Sequence, residues 1–173
     1  RIYAVVSLLF VPALAVFFLA RLTSIREDNV AAASRSFQQV TERAERVVEG
    51  ADTAAATKDI MQPRRGEIEN TGLEALMLYT VDDGVAYLWA KHPAYTEGGF
   101  TGGVGRPRME YNELTQMRLT GTVESEPNYI VEALYTVIDR DDIYPLLRIS
   151  LIAVLFVALV ATLLAIIGSR LRP

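Results

Sequence analysis

Leu73-Glu74-Ala75-Leu76-Met77-Leu78-Tyr79-Thr80-Val81, then Asp82-Asp83-Gly84, then Val85-Ala86-Tyr87-Leu88-Trp89-Ala90-Lys91: this stretch decides the fold. Two apolar, aromatic and β-branched runs meet at an Asp-Gly step. Asp and glycine both tolerate the positive φ of a tight primed turn, so the stretch reads as a β-hairpin. Asp82 and Asp83 also have the look of a catalytic carboxylate pair, but turn chemistry accounts for them. Downstream, Met117 to Glu124 alternates Met117, Leu119, Gly121 and Val123 against Arg118, Thr120, Thr122 and Glu124. That is the period of a half-buried strand. A fourth run occupies Asn128 to Ile138.

Upstream the period changes. Val30, Ala33, Phe37, Val40, Ala44, Val47 and Ala51 recur at spacings of three and four within a helical stretch, Arg21 to Thr57. Such a seam can serve a coiled-coil partner or lie against the chain's own sheet. Turns are expected at Gln62-Pro63-Arg64-Arg65-Gly66 and at Asn70-Thr71-Gly72. A long helix beside four strands makes an α+β domain, with the helix packed on a small antiparallel four-stranded sheet. Asp139 to Asp142 caps a last helix from Ile143, with Pro145 in its first turn.

Two apolar runs bracket this segment. Ile2 to Ala20 and Ile149 to Ile167 each hold 19 residues and no charge. About 20 apolar residues span the hydrocarbon core of a bilayer, and a spanning backbone must satisfy its own polar groups as a helix. The expected order is therefore a membrane helix over residues 2–20, an extracytoplasmic domain over 21–148, a second membrane helix over 149–168 and the start of a cytoplasmic linker over 169–173. Ala158, Ala161, Ala165 and Gly168 form a small-residue stripe on the second span, which suits close approach of another helix. With the heptad seam, it predicts a homodimer. The chain begins at Arg1 without methionine and stops just past the second span, so it reads as a fragment with an output half beyond Pro173.

Charge follows the same division. All 21 acidic residues lie between Glu27 and Asp142, and residues 21–148 hold 14 of the 17 basic ones, a formal charge of 14 − 21 = −7. An acidic domain argues against nucleic-acid binding, which calls for a basic patch. The short ends carry only arginine, as cytoplasmic ends tend to, although large domains cross a membrane whatever their charge. The absence of cysteine excludes disulfides and thiolate metal sites.

Catalytic and cofactor signals are missing. The loop from His92 to Arg108 holds five glycines and two prolines and ends in a helical-looking Glu110 to Leu114. Gly103-Val104-Gly105 runs into Arg106-Pro107-Arg108, which matches neither the dinucleotide fingerprint nor a phosphate loop. One histidine and no Gly-x-Ser-x-Gly leave no nucleophile with a partner. The segment does not read as an enzyme, and no cofactor is expected. What remains is a small-ligand site: Tyr87, Trp89, Tyr95, Tyr111 and Tyr135 as aromatic walls, with Arg106 and Arg108 as donors for a small anionic metabolite.

Leu78-Tyr79-Thr80-Val81-Asp82-Asp83-Gly84-Val85-Ala86-Tyr87, preceded by a membrane-contiguous helix and followed by a Gly-rich segment and two strands, resembles the extracytoplasmic Cache sensor family of bacterial receptors. That resemblance implies a PAS-like sheet binding a small metabolite between sheet and loop. It also implies a multi-pass protein of the bacterial inner membrane. Gly168 to Pro173 resembles the start of a HAMP signalling linker. The chain departs from the family in one respect, since its fourth strand runs almost directly into the membrane helix with little room for a last strand. Two functions follow as expectations: the sensor portion of a membrane signalling receptor, or a non-sensing subunit that anchors or assembles a membrane complex.

Overall fold

The computed structural model describes residues 2–51, 53–80, 84–92 and 111–170. The chain is α+β, with element order α1 (Ile2–Gly50), α2 (Ala54–Met61), α3 (Arg65–Thr71), β1 (Leu73–Thr80), β2 (Gly84–Ala90), β3 (Gln116–Thr122), β4 (Tyr129–Thr136) and α4 (Arg140–Arg170). It divides into two compact units, residues 26–138 and residues 1–25 with 139–173.

In the first unit the four strands form one antiparallel sheet in the order β2-β1-β4-β3. Each strand lies within a residue or two of its expected place. The heptad seam is used within the chain. Ala33, Val40, Ala44 and Val47 of α1 are buried with Leu76, Leu78, Val131, Ala133 and Tyr135 of the sheet, and Phe37 packs against the same cluster. Of the two uses open to such a seam, the structure shows packing on its own sheet. Most helical stability in proteins comes from covering an apolar face in this way.

Two β-bulges set which residues share that face. Leu73 pairs Tyr135 while Ala75 pairs Leu134, so an extra residue on β1 puts Leu73 on the same side as Leu76 and Leu78. Leu78 pairs Tyr87 while Tyr79 pairs Val85, so an extra residue on β2 turns Tyr87 and Trp89 towards the helix. Inserting one residue flips every later side chain of a strand to the other face. Of the expected hairpin turn, Asp82 and Asp83 lie outside the described residues, and Gly84 takes φ 88°.

Three local expectations are corrected. The helix expected to Thr57 ends at Gly50, and the Thr53 hydroxyl accepts the Ala56 N–H to open α2 as a new helix. Part of the expected turn at 62–66 is helical, because α3 begins at Arg65 with the Glu67 carboxylate accepting the Arg64 N–H at 2.8 Å. The helical-looking end of the Gly-rich loop is, from Asn112, a single turn. Asn112 Oδ1 accepts the Leu114 N–H and leads directly into β3.

In the second unit, α4 starts at Arg140, three residues earlier than expected. The Asp142 carboxylate accepts the Asp139 N–H, and Asp139 accepts the Arg140 N–H. Pro145 consequently lies in the second turn. α4 is long and apolar enough to cross a membrane, with mean hydropathy 3.0 over its most apolar window. Leu151, Ile152 and Phe156 are 60–66 % exposed. Among the described residues α4 is the one helix that meets this test, where two were expected. Ile2 to Ala20 is helical as the start of α1 and contains Pro12. Residues 2–9 of that run lie outside those whose side chains are described.

Candidate functional site

The sheet has two faces, and they differ in chemistry. The face under α1 is apolar. The opposite face carries Ala75, Met77, Tyr79 and Leu134, all buried, with Ala90, Tyr111 and Ile130 packed against them. Period 2 along β4 places Glu132 on this second face, since Val131 and Ala133 belong to the first. Glu132 is 3 % exposed. Arg118, one strand over on β3, brings a guanidinium nitrogen to 3.6 Å from its carboxylate, and that guanidinium lies 5.4 Å from the centre of the Tyr111 ring. The separation is an ion-pair contact, longer than a hydrogen bond. An acid, a base and an aromatic ring therefore meet on this face, beside its apolar cluster and with Thr120 opposite Glu132. No known protein family, curated protein or solved structure matches this chain.

The structure separates the aromatic residues proposed as ligand walls. Tyr87, Trp89 and Tyr135 point into the cluster between α1 and the sheet. Tyr111 alone of the described candidates reaches the second face. Tyr95, Arg106 and Arg108 lie outside the described residues. Tyr135 is fully buried, and its hydroxyl donates to Ser36 Oγ at 3.3 Å. Burial pushes its phenol up to about 12, although the Ser36 hydrogen bond and the Arg43 charge act in the other direction. Tyr87 is raised for the same reason, against the pull of Arg43.

Arg43 is the other charged group that the periodicity of α1 gave no reason to bury. It lies on the same helix face as Ser36, beside the seam, and is 7 % exposed. Its guanidinium donates to Glu67 Oε1 at 2.9 Å and to the Gln62 carbonyl at 3.3 Å. Glu67 thus holds α3 twice, by capping its first turn and by tying it to α1. This network is structural, since it satisfies the α2–α3 turn and the start of α3. Arg118 was missed as a site residue because it sits on the polar side of the alternating stretch 117–124, and Glu132 because it is a lone charge within the apolar run of β4. Nothing local separates a polar residue facing water from one facing a second buried layer.

Proposed function

We propose that this chain is the sensor portion of a membrane signal-transduction receptor, with an extracytoplasmic, PAS-like domain of Cache type between two membrane helices. The observation that carries the reading is the second sheet face with Glu132, Arg118 and Tyr111. Glu132 is buried and Arg118 only partly exposed, and replacing such an ion pair with apolar residues is often neutral or stabilising, so stability alone gives no reason to keep charges there. A polar metabolite bearing a carboxylate gives one. The Arg118 guanidinium has donors beyond its 3.6 Å contact with Glu132, and Tyr111 offers a flat wall beside it.

Two features of the chain suit signalling. A helix long and apolar enough to cross a membrane follows β4 after only three residues. α1 is one helical element from Ile2 to Gly50, and in this reading a displacement travels along it. Shifts of about 1–2 Å at helix interfaces are enough to carry a signal. In this reading Ile2 to Ala20 is the first span of a multi-pass protein of the bacterial inner membrane. With the seam of α1 covered by the chain's own sheet, pairing as a homodimer falls in this reading to the small-residue stripe Ala158 to Gly168, and residues 169–173 lead into a HAMP-like linker and an output module.

The test is a metabolite screen by thermal stabilisation on the full chain in lipid nanodiscs. A carboxylate-bearing hit is expected to lose on the order of 30-fold in affinity in Arg118→Met. The ligand-induced increment is the readout, because removing the Arg118 charge from beside the buried Glu132 lowers the unliganded melting temperature as well. If no compound stabilises the chain, the second reading, an anchoring or assembly subunit, takes its place. That reading is favoured by the uptake of Tyr87, Trp89 and Tyr135 into the core.

A further inference from the structure

Beside the seam, α1 and α3 bound a cleft of about 370 Å³, away from the second sheet face. α1 contributes Arg35, Ser36 and Gln39, and α3 contributes Gly66, Glu67 and Asn70, each set at i, i+1 and i+4 on one helix face. The volume falls in the range of small-molecule pockets. We propose that this cleft binds a small neutral polyhydroxylated molecule, of the size of a monosaccharide or cyclic polyol.

Three observations lead there. The first is the lining. Among the described residues no aromatic or large aliphatic side chain borders the cleft. The amides of Gln39 and Asn70 and the hydroxyl of Ser36 are each donor and acceptor at once, as ligand hydroxyl groups are. Ser36 is buried and already accepts from Tyr135, which leaves its own hydrogen to donate.

The second is charge. An anion entering the cleft meets the Glu67 carboxylate, whose two oxygens are held by Arg43 and by the Arg64 N–H. A cation meets the Arg35 guanidinium. A neutral molecule meets neither repulsion and can hydrogen-bond to both walls. The third is Gly66. It is the second residue of α3, in the first turn, where alanine would be the better helix former. Its φ is not left-handed, and a Cβ there would touch only Asn70 Nδ2, at an ordinary 3.7 Å. Neither backbone nor packing demands glycine at 66. Its effect is to leave the cleft open.

The experiment is saturation-transfer NMR on the full chain in lipid nanodiscs. D-ribose, D-glucose and myo-inositol are the neutral probes, with acetate and methylammonium as charged comparisons. Transfer to at least one neutral probe is expected. Gly66→Leu, which fills the cleft, should abolish it with the circular dichroism spectrum unchanged and the melting temperature not lowered. Asn70→Ala should weaken binding roughly two- to tenfold, the loss of one neutral hydrogen bond, and it decides alone if Gly66→Leu does not fold. Transfer to no neutral probe, transfer to charged probes only, or transfer unaltered in the variants overturns the proposal. The site shares no residue with the second sheet face, so failure of the metabolite screen and failure here are separate results.

Discussion

Tyr135 shows how one buried hydroxyl ties stability to pH. Its phenol titrates at about 12, above the ordinary 10.0, because the charged form would have to sit in the core. The stabilisation that goes with the neutral form is complete below pH 10 and is lost as pH climbs towards 12. Two units correspond to on the order of 2–3 kcal/mol. Urea unfolding between pH 8 and 11.5 should show this decline, and Tyr135→Phe should flatten it after an offset of about 1 kcal/mol for the Ser36 hydrogen bond. Equal slopes in the two proteins would remove Tyr135 as the cause. Arg43 makes a second case, with side-chain exposures of 8 % and 14 % across its pair with Glu67. Glu67→Gln strands a buried guanidinium and should cost about 3–5 kcal/mol, whereas replacing Arg43 and Glu67 together by Met and Leu should recover most of it. Denaturant midpoints of the single and double variants check this. A double variant as unstable as the single one would mean that the charges themselves stabilise the fold.

At the scale of elements, junctions matter more than interiors. α3 passes into β1 through Gly72, which takes φ 67° and whose carbonyl accepts the Thr136 N–H at 2.8 Å. A Cβ at this position would run into the Thr136 carbonyl oxygen. Gly84 has φ 88° at the start of β2, with nothing near its would-be Cβ. Both alanine variants carry the left-handed backbone penalty of about 1–2 kcal/mol, but only Gly72→Ala adds a collision between backbone and side chain. Gly72→Ala should therefore lower stability by more than about 2 kcal/mol and Gly84→Ala by about 1. Equal losses in urea titrations would show that β1 and β4 shift to absorb the added carbon. The seam of α1 follows the same logic of local signal and distant partner. Its spacing of three and four says that one face is covered, and the contacts with β1 and β4 say by what.

For the whole molecule, the proposed sidedness has a direct measurement. Ser34 and Ser125 are exposed, and the chain has no cysteine of its own. Ser34→Cys and Ser125→Cys should each react with a membrane-impermeant maleimide in intact cells, as an extracytoplasmic domain requires. Labelling that appears only after lysis would place residues 26–138 in the cytoplasm and end the receptor reading in its proposed orientation.

Period-2 alternation at 117–124, the Asp-Gly step at 83–84, the apolar run at 128–138 and the 3-4 seam of α1 are local patterns, and they were sufficient to determine the four strands, the long helix and the α+β class. An uncharged run at 149–167 was sufficient for a membrane-capable helix, because length and hydropathy are properties of the chain alone. Tertiary structure decided the rest. The order β2-β1-β4-β3 depends on pairings between residues such as Leu76 and Ala133 that no local pattern specifies. The bulge on β2 breaks the parity that would have grouped Val85 with Tyr87 and Trp89, sending the two aromatics to the helix side and pairing Val85 with Tyr79. Alternation assumes one wet face. Here Met77, Leu134 and Glu132 are buried on the second face as well, so Arg118, on the polar side of its alternating strand, faces a buried carboxylate rather than water alone.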